Sequence, residues 1–197
     1  KLDLTSLVSK EEKIKDQIKK IGYNDNFDIQ IINSKDTSKR KRYVEYLFKR
    51  LQRNQGMLER ECDKLIRNDR VIWASCMVAC GDADAMVTGN TRRYSSSLEK
   101  IIKVVDPRPG EIMFGLNLIV NRGKTVFLCD TSVIEYPDAA QLAEMAISAA
   151  RVVKLFGFDP KVAFLSHSTF GQPVTDRTKR ISDAVKILKK KKVNFKF

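Results

Sequence analysis

The sequence predicts an α/β fold, with a largely parallel, helix-covered sheet and one antiparallel hairpin at its edge. Two patterns point there. Short apolar runs of strand length alternate with longer runs of helical periodicity, as strands covered by helices require. One pair of strand-like runs is instead joined only by Asn121-Arg122-Gly123-Lys124. That linker is too short for a crossover helix, so those strands must run antiparallel.

Taken in order, residues 28–32 read as a strand. Residues 40–54 place Tyr43, Tyr46, Leu47, Phe48 and Leu51 at helical spacing. A second helix is predicted over 57–67, and a third over 70–80 through Val71-Ile72-Trp73-Ala74, stopped by Gly81. Ala85-Met86-Val87 reads as a short buried strand. Ser96 followed by Glu99 resembles a capping box opening a helix to about Val105, and Pro107, Pro109 and Gly110 then break the chain into a loop. The hairpin strands are expected at 112–120 and 125–129, with Gly123 supplying the positive φ of the turn. Asp138 and Gln141 should cap a helix that runs to Phe156 and closes at Gly157. Its alanines (Ala139, Ala143, Ala146, Ala150) suit close approach to a sheet. Val162-Ala163-Phe164-Leu165 reads as another buried strand, and Thr175 opens a last helix through Ile181, Ala184, Val185 and Leu188.

Composition narrows the function classes. The chain has 197 residues, enough for one large α/β domain or two small subdomains. No apolar run approaches the ~20 residues of a membrane span, and the first residues lack the apolar stretch of a secretory signal. A soluble, cytoplasmic protein without membrane association is the expectation. Lys and Arg outnumber Asp and Glu by 37 to 24, a net charge of +13. Such a surplus suits nucleic acid, membrane surface or a phosphorylated ligand. The densest runs, Lys39 to Arg42 and Lys189 to Lys192, carry no interleaved aromatics to stack bases, so no nucleic-acid partner is expected. Cys76 and Cys80 share a helix face, and with Cys62 and Cys129 they are expected as buried free thiols. Zinc is not expected, because the spacing is wrong and His167 is the single histidine.

In α/β folds ligands sit beyond the carboxyl ends of the strands, which selects two loops. Thr88-Gly89-Asn90-Thr91-Arg92-Arg93 follows the 85–87 run and precedes a helix. A glycine turn, hydroxyls, a helix N-terminus and two arginines can hold an anion; on spacing alone a capped helix entry with solvent-facing arginines is the commoner arrangement. The loop containing Ser166, Ser168, Thr169 and Gly171 has the same order, with Arg177 in the next helical turn, and carries the same two readings. His167 lacks an evident nucleophile and carboxylate, so no catalytic residue is assigned. A Walker loop, a GxGxxG and a GxSxG elbow are all missing from the sequence. Asp82 and Asp84 flank a turn better explained by turn chemistry than by a metal, and Asp130 ends a strand where it can bond nearby backbone.

Gly81 to Gly89 (GDADAMVTG) resembles the "GDADGMVSG" block of the phosphate acetyl/butyryltransferases. Further blocks resemble the branch of that family attached to bacterial NADP-dependent malic enzymes: Thr91 to Ser95, Arg122 to Phe127, Ala163 to Gly171, and Val193-Asn194-Phe195. The resemblance runs over nearly the whole chain. It implies a three-layer α/β/α phosphotransacetylase-like fold of two subdomains, treated as one domain over 1–197, with a CoA-type ligand in the cleft between them. It also implies that the opening strand and helix of the domain, and the Ser-Arg-Gly segment that carries acyl transfer, lie outside this chain. Ser95-Ser96-Ser97 stand where the transferases carry "TxRP", so an anion-binding arginine is lost or moved to Arg92 or Arg93.

On this resemblance the segment is a non-catalytic module that senses acetyl-CoA or a related acyl-CoA and supports homo-oligomerisation. The parent would bind NADP and a divalent metal in upstream domains and convert malate to pyruvate. The alternative is a working phosphate acetyl/butyryltransferase. The ligand residues implied are Thr88, Gly89, Thr91, Arg92, Arg93, Ser166, Ser168, Thr169, Gly171 and Arg177.

Overall fold

The computed structural model describes residues 6–8, 11–22, 30–33, 38–89, 92–168 and 172–197. The chain forms two compact units, Lys1–Asp106 and Pro107–Phe197.

In the first unit, β1 (Ser6–Val8) and β2 (Gln30–Ile32) pair in parallel, with α1 (Glu11–Lys20) between them in sequence. Four helices follow: α2 (Arg40–Gln55), α3 (Glu59–Asn68), α4 (Arg70–Ala79) and α5 (Tyr94–Val104). The predicted spacing holds in α2, where Tyr43, Val44, Leu47 and Leu51 turn one buried stripe towards α4. α4 carries apolar residues on nearly every side, and Val71, Ile72, Trp73, Cys76 and Met77 are all buried. Trp73 meets the Tyr43 ring edge-on, with centroids 4.9 Å apart. Short caps separate these helices. The Glu61 carboxylate accepts the Leu58 N–H at 2.8 Å, and Gly56 ends α2 at φ +63°.

In the second unit, β3 (Leu116–Asn121) and β4 (Lys124–Cys129) form the expected antiparallel hairpin. Both central turn residues are left-handed, Arg122 at φ 48° and Gly123 at φ 75°, the conformation whose twist matches the strands. α6 (Ala139–Leu155) opens with the predicted box, Asp138 accepting from Gln141 N and Gln141 accepting from Asp138 N. α7 (Asp176–Lys191) starts at Thr175 as read from the sequence. Ala143 and Ala146 of α6 are buried with Ala184 and Leu188 of α7, so the alanine stripe lets two helices approach as well as fitting beneath β4.

The α/β class holds, but several elements differ from expectation. Residues 85–87 make no ladder, and Val87 is 90% exposed. Residues 162–165 form no strand, with one parallel bridge beside them, Lys161 to Lys196, and Leu165 is 78% exposed. An apolar run gives a strand only where a neighbouring strand supplies its backbone partners, and periodicity does not name that neighbour. Residues 112–115 do not join β3, which begins at Leu116. α5 starts at Tyr94 with Arg93 as its N-cap, so Ser96 lies inside the first turn rather than ahead of it. Cys129 is exposed, unlike Cys62 and Cys76; burial pushes the Cys76 thiol up to about 12. Residues 28 and 29 of the first predicted strand lie outside the described residues.

Candidate functional site

The first candidate loop is built where α4 ends. Gly81 (φ +77°) turns the chain, and the Asp82 side chain is then taken up by three donors: the Tyr43 hydroxyl at 2.5 Å, Lys39 Nζ at 3.1 Å, and Arg42. The Tyr43 hydroxyl, with Lys39 and Arg42, holds the Asp82 carboxyl below its usual range, while burial and that same bond push the tyrosine up. Asp82 is thus a pin joining the turn to the start of α2.

Thr88 and Gly89 are exposed, and Gly89 sits at φ +137°, where any side chain would be strained. Thr91 lies outside the described residues. Arg93 is extended (φ −64°, ψ 137°), and its own side chain makes no cap hydrogen bond to the helix that follows. The first amides of α5 precede its intrahelical bonds, and the helix polarity there favours an anion. One turn further, Ser97 is buried, and its hydroxyl has no hydrogen-bond partner among the described residues.

Arg92 is not free. Its Nη1 lies 3.7 Å from Asp69 Oδ2, which also receives Lys100 Nζ at 2.5 Å. Asp69 Oδ1 caps α4, accepting from Val71 N at 2.9 Å and Ile72 N at 3.4 Å. Burial alone would raise the Asp69 pKa; Lys100 and the two amides outweigh it and lower it.

The second loop is organised differently. Ser166 and Ser168 come together, with their hydroxyls 3.2 Å apart and the Ser168 N–H donating to Ser166 Oγ. They line a cleft of about 480 Å³ with Phe164, Val174, Lys179 and Lys186. Arg177 does not join them. It lies over the Tyr136 ring at 5.5 Å and lines a second cleft of about 390 Å³ with Arg180. Leu165 and Ile181 line both clefts. A capping box closes at the N-terminus of α7: Thr175 Oγ1 accepts from Thr178 N, and Thr178 Oγ1 accepts from Thr175 N at 2.8 Å. Thr169 and Gly171 lie outside the described residues.

Asp69, Lys100, Lys179, Lys186 and Tyr136 were not singled out from the sequence. Only Asp69 carried a signal, as an acidic residue immediately before the third predicted helix. Asp130 behaves as expected, accepting backbone N–H groups of Gly115, Ser132, Val133 and Ile134 between 2.7 and 3.1 Å.

Comparison with known proteins bears on the whole chain. A family model described as phosphate acetyl/butaryl transferase matches residues 2–197. The chain is 41% identical over 192 residues to the NADP-dependent malic enzyme of Rhizobium meliloti (strain 1021), covering 97% of this chain and 25% of that protein. It is 31% identical over 188 residues to the NADP-dependent malic enzyme of Escherichia coli (strain K12), covering 94% of this chain and 25% of that one. Its fold matches a phosphotransacetylase from Streptococcus pyogenes with a TM-score of 0.82 at 24% identity, over 95% of this chain and 57% of the other. The chain spans about a quarter of the length of the curated malic enzymes it matches. No helix among the described residues is long and apolar enough to cross a membrane.

Proposed function

The chain belongs to the phosphate acetyl/butaryl transferase family, and from that premise we propose that it is the acyl-CoA-sensing, oligomerising domain of an NADP-dependent malic enzyme. The observation that carries this reading is the near-complete alignment of the chain with one quarter of a malic enzyme. Acetyl-CoA or a related acyl-CoA is the effector, and its phosphates go to the open end of α5. That end supports the reading because uncapped amides and the Arg92 and Arg93 guanidinium groups favour anions together. Within the second unit, Ser166 and Ser168 line a candidate contact region of their own.

The parent protein oxidises malate to pyruvate in the cytoplasm as a homo-oligomer, and NADP and a divalent metal belong to its upstream domains. Among the described residues here, no three His, Cys, Asp or Glu side chains converge as a metal set would. The segment itself moves no acyl group, because serines stand where the transferases carry their helix-entry arginine.

The test is a pair of measurements on the purified chain. Acetyl-CoA should bind in a calorimetric titration, and no acetyl phosphate should form from acetyl-CoA and phosphate. Turnover above a denatured control would replace this reading with the second one, a phosphate acyltransferase, which the family description favours. Absence of binding would remove the sensing role.

A further inference from the structure

Asp69 divides its two oxygens between different tasks. Oδ1 caps α4, while Oδ2 receives Lys100 at hydrogen-bond distance (2.5 Å) and Arg92 at 3.7 Å. The Arg92 contact is too long for a hydrogen bond, so the pair is an ion pair without a direct hydrogen bond. Were Arg92 to swing away, Asp69 would keep Lys100 and the amides of Val71 and Ile72. The carboxylate would not be stranded, so releasing Arg92 costs little. A phosphate at the start of α5 can instead offer a guanidinium two parallel hydrogen bonds, which the 3.7 Å contact does not.

We infer that Asp69 is a built-in competitor for Arg92, a resting counter-ion that an anionic ligand at the α5 N-terminus must displace. The inference rests on reading that end of α5 as the acyl-CoA phosphate site. Asp69 sets the affinity of the site through Arg92 and touches no ligand itself. Lys100 is what makes the exchange cheap.

The experiment is a double-mutant cycle on the purified chain, with acetyl-CoA titrated calorimetrically into wild type, Asp69→Asn, Arg92→Ala and the double variant at one ionic strength. Asn caps a helix about as well as Asp, so α4 should persist, and the thermal midpoint checks this. Asp69→Ser, also a good cap, replaces it if the Asn variant does not fold. Removing this long, partly buried ion pair should tighten binding by about two- to fivefold. That gain should vanish when Arg92 is already alanine. A gain that persists without Arg92 would mean a general charge effect and overturn the inference, as would unchanged or weaker binding by Asp69→Asn. Equal affinity of wild type and Arg92→Ala, or no binding by any form, would instead overturn the reading of α5 on which the inference stands.

Discussion

α5 in the first unit and α7 in the second both begin after a hydroxyl-rich loop, yet they start in opposite ways. α7 closes its own N-terminus through Thr175 and Thr178, and its nearby arginine lies against Tyr136. At α5 the Arg93 side chain makes no cap bond, and the neighbouring Arg92 is held with Lys100 at Asp69. A helix end satisfied internally has little to offer a ligand, whereas an open one favours an anion. Similar sequence patterns thus give one structural joint and one candidate site. The cores differ as well. The first unit is packed around an aromatic pair, Tyr43 and Trp73, while the helices of the second meet through alanines and Leu188.

The core contrast gives the largest expected effect. Trp73→Ala removes a fully buried ring and should cost ~3–5 kcal/mol. Ala146→Gly removes a single methyl from the α6 stripe and should cost about 1 kcal/mol, from helix propensity. Urea unfolding followed by far-UV circular dichroism measures both, and equal losses would erase the distinction between the cores.

The helix-start contrast is next. Losing one charge-assisted hydrogen bond costs ~1.5–3 kcal/mol, so Arg93→Ala should weaken acetyl-CoA binding about 10- to 150-fold. Thr175→Ala should leave that affinity nearly unchanged and cost the protein ~1 kcal/mol of stability through the lost cap. If calorimetry found the larger affinity loss in Thr175→Ala, the site would move to the second loop.

Acid sharpens the comparison further. Asp69 in the first unit and Asp130 in the second are both held below the usual carboxylate range. Burial opposes this in each case, but Lys100 and two amides prevail at Asp69, and four backbone amides at Asp130. A depressed carboxylate contributes fully above its unfolded pKa of ~4, and that contribution is lost as pH falls through the lower folded value. Stability should therefore be flat from pH 7 to about 5 and fall below about 4. Asp130→Asn leaves a single acceptor oxygen for four donors; it should cost ~1–3 kcal/mol at pH 7 and make the acid limb shallower. An unchanged pH profile in that variant would show that Asp130 is replaceable by ordinary turn geometry.

Local features were the most legible in the sequence. The hairpin turn, the Asp138 and Thr175 caps and the α2 stripe each depend on residues close together along the chain. Features that depend on distant partners were not. The runs at 85–87 and 162–165 looked like strands because apolar content was visible and ladder partners were not. The start of α5 was misplaced because Ser96 and Glu99 have capping-box spacing, whereas the backbone already turns helical after Arg93. Arg92 was found, but its hold by Asp69 was not, since that contact arises only when α4 packs on α5.

The bare start of α5 has a consequence on the timescale of amide exchange. The Tyr94, Ser95 and Ser96 N–H groups precede the first intrahelical bond, which Ser97 N makes to Arg93 O at 3.2 Å. Water can reach such amides without any unfolding event, so they should trade hydrogen for deuterium quickly even while the rest of α5 is protected. A bound anion would slow those three positions alone, whereas Thr178 N, already bonded to Thr175 Oγ1, would exchange at the same rate with or without it.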